Sequence, residues 1–307
     1  MNPYNYQKTD FQVNMNQDIK SNHWVRYAVD FQTAHPTVYP EYNTVRGLYY
    51  QPIRKNPTPF VILVHGMGDF TAVPWKILAP SLAKMGIAAF VLFLPFHSSR
   101  MPHTIKERIP NLTAQEWFEG YQLSVIDIFQ VVDWAGRRGE VDIERNAIMG
   151  VSYGGLVSAI AMGIDPRIKA GVFVVTGGNS GKINRLGKSK AYTKGFQLTE
   201  TEYYREQAVY REYLENVRLN GFEKVDPTDS PFQTDPMTFA DSLKGRPLLM
   251  FNATRDKYFP REAVLDFWEA CGKPRLKWFP SGHIGIWLYY PIIAHMGTKF
   301  LLANFKK

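Results

Sequence analysis

Gly150-Val151-Ser152-Tyr153-Gly154-Gly155 is the stretch that decides the fold of this 307-residue chain. It has the pattern G-x-S-x-G. The pattern alone is short and common, and its setting makes it specific. The residues at 146–149 read as a buried strand, and 154–162 are small and apolar, as in a tightly packed helix. A serine on so sharp a strand-to-helix turn is forced into a strained backbone conformation, and glycines on either side relieve the crowding. The turn lifts the hydroxyl clear of the sheet, at a helix N-terminus whose dipole favours developing negative charge.

Working outward, strands and helices alternate on both sides of this turn. Upstream, residues 24–32 and 43–50 read as strands separated by a Pro-containing turn at 35–41. Pro59-Phe60-Val61-Ile62-Leu63-Val64 is a continuous apolar run, as expected of a strand buried on both faces. A helix over 74–85 leads to a second buried strand at 88–94, and Thr113 with Glu116 has the spacing of a capping box opening a helix to about 134. Downstream come strands at 172–175, 247–252 and 276–279, then a last helix over roughly 285–304. The pattern predicts an α/β fold: a mainly parallel central sheet of about eight strands with helices on both faces.

Two regions stand outside the alternation. Residues 1–22 are polar and rich in Asn and Gln, and are expected to be an N-terminal arm ahead of one domain over 23–307. Residues 177–243 contain no clear core strand. They open with Gly177-Gly178-Asn179-Ser180-Gly181-Lys182, and a second capping box, Thr199 with Glu202, starts a Tyr- and Glu-rich helix to about 220. An insertion of this length between core strands is expected either as a helical cap over a site or as a structural excursion.

Composition bounds the rest. With 45% hydrophobic and 21% charged residues the chain can bury a large core without staples. The single cysteine, Cys271, precludes an intrachain disulfide and points to a reducing, cytoplasmic compartment. Residues 1–8 lack a basic leader followed by an apolar stretch, and no run approaches the roughly 20 apolar residues of a membrane span. The net charge of +8 accompanies no nucleic-acid-binding module. No metal-ligand spacing and no phosphate-cradling loop is present, so neither metal nor cofactor is expected.

The chain resembles the α/β-hydrolase superfamily over roughly residues 43–304, most nearly its dienelactone-hydrolase and prolyl-oligopeptidase-like branches. Gly150-Val151-Ser152-Tyr153-Gly154 is similar to the nucleophile elbow, and Val64-His65-Gly66-Met67-Gly68 looks like the oxyanion loop. The resemblance implies Ser152 as nucleophile, with the backbone N–H groups of Tyr153 and Met67 as the oxyanion hole. His65 is expected to support the loop without doing chemistry. Of seven histidines, only His283 follows the last strand and precedes the last helix, where the superfamily's catalytic base sits. Asp256, shortly after the strand at 248–252 and followed by Pro260, matches the acid loop. The order Ser152, Asp256, His283 is the one this fold requires.

The resemblance thus implies a serine hydrolase acting on a small acyl substrate, a carboxylic ester first, with thioesters and amides left open. A binding protein of the same fold without turnover is the reading from another class. Phe70, Trp75 and Trp287 lie near these positions in sequence and either line a substrate pocket or belong to the core. Arg100 follows a strand end, where it either meets a polar substrate group or is a solvated loop charge. The Lys-rich start of the insertion, residues 182–194, is read as a solvated face rather than an anion site, and Cys271 as core packing.

Overall fold

A computed structural model describes residues 2–8, 10–67, 71–187, 198–227 and 230–306. Nine strands form one sheet in the order β1-β2-β3-β5-β4-β6-β7-β8-β9. These are β1 (Val13–Lys20), β2 (Trp24–Gln32), β3 (Thr44–Pro52), β4 (Thr58–Val64), β5 (Ala88–Phe93), β6 (Val141–Val151), β7 (Ala170–Val174), β8 (Leu248–Ala253) and β9 (Arg275–Phe279). The first three and the β3–β5 contact are antiparallel. Every pairing from β5 to β9 is parallel.

The helices are α1 (Val73–Lys84), α2 (His103–Lys106), α3 (Ala114–Gly136), α4 (Tyr153–Ile164), α5 (Ser180–Leu186), α6 (Glu200–Asn220), α7 (Arg261–Ala270) and α8 (Tyr290–Asn304). The period of two along the central strands sorts side chains between two cores. Phe60, Ile62 and Val64 of β4 join Phe90 and Leu92 of β5 against α3 and α4. Val61 and Leu63, with Ala89 and Val91, face α1 and α8 on the other side. A strand buried on both faces needs apolar residues at every position, which is why β4 and β5 read as unbroken apolar runs.

The nine strands exceed the expected eight because residues 13–20, read as part of an arm, form β1. It pairs with β2 from Val13↔Phe31 to Lys20↔Val25. As an edge strand facing water on most positions it needs little apolar sequence, and only Val13 and Met15 pack on the core. Its Asn- and Gln-rich composition concealed a strand held mainly by backbone pairing. Tyr4 of the same region is buried and donates its hydroxyl hydrogen bond to the Gln233 carbonyl at 2.8 Å.

Both capping boxes form: the Thr113 and Thr199 side chains accept the backbone N–H of Glu116 and Glu202, whose carboxylates accept in return. The final helix differs from expectation. A 3₁₀ turn over Ile284–Tyr289 comes first, and α8 begins at Tyr290, where Pro291 occupies the first turn. Residues 177–243 hold α5, α6 and short 3₁₀ turns, with no strand among the described residues. No described helix is long and apolar enough to cross a membrane.

Arg100 is neither a substrate contact nor a solvated charge. It is fully buried, and Nη1 donates to Asp127 Oδ2 at 2.7 Å and to the Phe93 carbonyl at 2.8 Å. Nη2 donates to the Tyr42 carbonyl at 2.7 Å, while Thr33 donates to the other oxygen of Asp127. The guanidinium thus ties the end of β5 to α3 inside the protein. Asp127→Ala leaves this cation buried without its anion, and the expected loss is about 3–5 kcal/mol of unfolding free energy, measured by urea titration. A loss under about 1 kcal/mol would show that the pair contributes little beyond packing.

Candidate active site

Parallel strands end on the same side of the sheet, and the site lies on that edge. β4 and β6 are neighbours with Val64 opposite Gly150. Residues 65–67 therefore leave β4 directly beside residues 151–153 leaving β6. The chain also reverses its direction of travel across the sheet here, from β5 outside β4 to β6 inside it, which is where open α/β sheets form ligand crevices.

Ser152 sits on the turn with φ 53° and ψ −123°, a sparsely populated conformation for a residue with a side chain. Its N–H donates to the Val174 carbonyl at 2.9 Å, and its carbonyl accepts from Gly155 and Leu156. Two glycines are demanded by close approach. A Cβ on Gly150 would fall on the Gly154 carbonyl, and one on Gly154 would fall on the carbonyls of Val64 and His65. The start of α4 and the loop after β4 are thereby packed backbone to backbone.

His283 and Asp256 reach Ser152 from the two outermost parallel strands. His283 follows β9 and enters the 3₁₀ turn; Asp256 follows β8. His283 Nε2 lies 2.9 Å from Ser152 Oγ, and Nδ1 lies 2.8 Å from Asp256 Oδ2. The other carboxylate oxygen, Oδ1, accepts the backbone N–H of Tyr258 at 2.8 Å and of Phe259 at 3.1 Å. With Oδ1 so held, Oδ2 is aimed at the imidazole. With the proton on Nδ1, Nε2 is left to accept from the serine hydroxyl. The Tyr258 and Phe259 rings flank the imidazole, with centroids 4.6 and 5.7 Å away. Such an arrangement can accept the hydroxyl proton as the oxygen attacks an electrophile.

His65 is buried and bound by the loop itself. Nε2 accepts the Leu94 N–H at 3.0 Å, which leaves the proton on Nδ1 to donate to the Gly66 carbonyl at 2.8 Å. Both nitrogens are engaged by backbone, in keeping with a supporting role. His97 packs near it, the ring centroids 5.4 Å apart, and stacks face to face on Phe93 at 3.9 Å. Burial, with His65, Lys76 and Arg100 nearby, pushes the His97 pKa down to about 3.

A cavity of about 580 Å³ opens over Ser152 and His283, in the size range of small-molecule sites. Gly66, Met67, Tyr153 and Trp287 line it beside the serine, and Trp117, Tyr121 and Leu156 form an aromatic and aliphatic wall. Ser180, Ile183 and Pro236 of the 177–243 segment line it as well. Trp287 is thus at the cavity. Trp75 is not: it is 2% exposed and packs in the core from the buried face of α1, edge to face with Trp287. Phe70 lies outside the described residues. Trp117 and Tyr121 belong to no site motif of the sequence. Their spacing of four on the first turns of α3, just after the capping box, is the signal that places both on one face.

The prolyl oligopeptidase family matches residues 121–256 of the chain. No curated protein matches it significantly. Among solved structures, an acetyl xylan esterase from Paenibacillus sp. R4 is similar with a TM-score of 0.65 at 20% identity, over 98% of this chain and 90% of that one. A cold-adapted esterase from an Arctic intertidal metagenomic library gives 0.60 at 15% identity, over 92% and 95%. The chain has the α/β-hydrolase fold. The acylaminoacyl peptidase of Pyrococcus horikoshii gives 0.63 at 17% identity, over 94% of this chain and 42% of that longer one. The matching family and the similar structures are all serine peptidases or esterases on this fold.

Two outcomes are expected from this packing. Gly154→Ala forces β4 and the elbow apart, so the variant unfolds at lower urea by on the order of 1–3 kcal/mol; a midpoint equal to wild type would mean the loop yields freely. Because His97 stays neutral in the fold while the unfolded chain takes up a proton near pH 6.5, its contribution is complete above that pH and shrinks as pH falls toward 3. His97→Leu is therefore expected to flatten the decline of unfolding free energy between pH 6.5 and about 4, with an unchanged slope counting against it.

Proposed function

We propose that this chain cleaves a carboxylic ester through an acyl-enzyme formed on Ser152. The observation that carries the reading is the double engagement of His283, 2.9 Å from the hydroxyl and 2.8 Å from Asp256. His283 takes the Ser152 proton as Oγ attacks the ester carbonyl. The same imidazole passes that proton to the departing alkoxide as the tetrahedral intermediate collapses, and it then deprotonates the water that hydrolyses the acyl-serine. Asp256 fixes the tautomer and stabilises the imidazolium, and itself stays ionised.

The developing oxyanion is assigned to the backbone N–H groups of Tyr153 and Met67. Tyr153 is the first residue of α4, so its N–H has no acceptor within the helix. Met67 is assigned to the same point because its neighbour Gly66 packs closely on Ser152: a Cβ there would lie 3.3 Å from the serine Cβ, tighter than ordinary contact. Two such donors supply several kcal/mol of selective transition-state stabilisation.

An ester is favoured because its alkoxide leaves with less help than an amine, and because two of the similar structures are esterases. Amide or peptide cleavage on the same three residues is the second reading, supported by the prolyl oligopeptidase match and the acylaminoacyl peptidase. We assign residues 177–243 as a cap and Trp287 as a substrate contact, since both border the cavity. The single, buried Cys271 fits a cytoplasmic setting.

A fluorophosphonate probe is expected to label Ser152 in the folded protein and to fail with Ser152→Ala; labelling elsewhere, or none, ends the reading. With nitrophenyl esters, His283→Ala and Asp256→Asn are expected to lower kcat by on the order of 10³–10⁴-fold. Turnover of matched anilides at rates equal to the esters would transfer the assignment to the amidase reading.

A further inference from the structure

A wall of the cavity hangs on one buried carboxylate. Asp235 is 1% exposed and stands between the cavity residues Thr234 and Pro236. Its Oδ1 accepts the backbone N–H of Asn179 at 3.0 Å and of Met237 at 2.9 Å, and Oδ2 accepts that of Ser180 at 2.5 Å. It thereby joins the two ends of the 177–243 segment, residues 55 and 56 positions apart in sequence.

Asn179 carries the connection further. Its backbone is left-handed, φ 64°, shortly after Val175 at φ 43°, so the chain makes a tightly constrained exit from β7. Its amide pairs reciprocally with that of Gln207 on α6: Nδ2 donates to Oε1 at 2.9 Å and Oδ1 accepts from Nε2 at 3.0 Å. Nδ2 also reaches Asp266 Oδ2 on α7 at 3.3 Å, Oδ1 caps Lys182 N–H at 3.0 Å, and the Lys182 ammonium pairs with Asp266 at 2.5 Å. One hub of hydrogen bonds thus registers α5, α6, α7 and the 3₁₀ turns against one another.

What the hub positions is a wall. Helix α5 presents Ser180, Ile183 and Asn184 to the cavity that Trp117 and Tyr121 border. A seven-residue helix has too few internal hydrogen bonds to hold itself. Its place is set by Asp235 and Asn179. A two-carbon acyl group on Ser152 is too small to fill a cavity of about 580 Å³. A larger apolar group extends into the volume that α5 lines.

We infer that Asp235 and Asn179 are positioning residues that hold α5 as a preformed roof, so that the enzyme binds esters with an apolar group larger than acetyl. The inference rests on the reading of this cavity as the substrate site. Preorganisation is the physical basis: a roof already ordered costs no ordering free energy when substrate binds.

The test separates binding from turnover. In the Ser152→Ala background, binding of 4-nitrophenyl phenylacetate is followed by quenching of tryptophan fluorescence, Trp117 and Trp287 both lining the cavity. Asp235→Asn and Asn179→Ala are each expected to raise Kd at least fivefold, and Gln207→Ala, the mildest lesion, supplies the same comparison should either fold poorly. Kd within twofold of the parent in the folded variants overturns the inference. With Ser152 restored, the expected signature is a higher KM for the phenylacetate at nearly constant kcat; a fall in kcat without a rise in KM overturns it as well. Absence of hydrolysis by the unmodified protein strikes the esterase reading alone, since the binding arm still decides the role of the hub.

Discussion

The parallel pairing of β4 with β6 is the contact on which the site depends. With Val64 opposite Gly150, the loop carrying Gly66 and Met67 and the turn carrying Ser152 leave the sheet side by side. Glycines at 150 and 154 let the backbones close to a distance that a single methyl group would forbid. The cost of the strained serine, on the order of 1–3 kcal/mol, is met by that packing and by its hydrogen bond to the Val174 carbonyl. Because β7, β8 and β9 continue the sheet in parallel, the loops bearing Asp256 and His283 arrive at the same edge without any special device.

Around this centre, charge and polarity are placed according to how rigid each part must be. Arg100 lies fully buried, paired with Asp127 and held by the Phe93 and Tyr42 carbonyls, where it joins β5 to α3. Backbone groups hold both nitrogens of His65. Asp256 spends one oxygen on two backbone N–H groups, and the other faces the imidazole. In each case a polar side chain is fixed by backbone atoms, which move least. The roof combines both kinds of tie: Asp235 accepts backbone N–H groups at the start of the short α5, and side-chain pairs through Asn179, Gln207 and Asp266 add to them. Such a wall is the part of a pocket most readily altered without disturbing the chemistry beneath it.

Much of this was legible in residue order. The unbroken apolar run at 59–64, the glycine-flanked Ser152 and the two capping boxes each have one sensible local structure, and local structure is what short-range sequence encodes. The positions of Asp256 and His283 followed once strands could be counted, because each lies just past a strand end. β1 was missed because an exposed edge strand needs no apolar signature. The choice between pocket and core for Trp75, and the burial of Arg100, are not readable in sequence for a related reason: proximity to the site along the chain says nothing about which side of a sheet a side chain enters.

The sequence by itself therefore determined the alternation of elements, the elbow and the identity of three residues, Ser152, Asp256 and His283, on separate strand ends. Only the tertiary structure decided that their atoms lie within hydrogen-bonding distance, that Trp117 and Tyr121 form a wall, and that Asp235 grips the far end of its own segment. The physical reason is range. Turns, caps and buried runs are set by neighbours a few positions away, whereas a cavity is the space left when elements distant in sequence pack, and no local pattern specifies its shape.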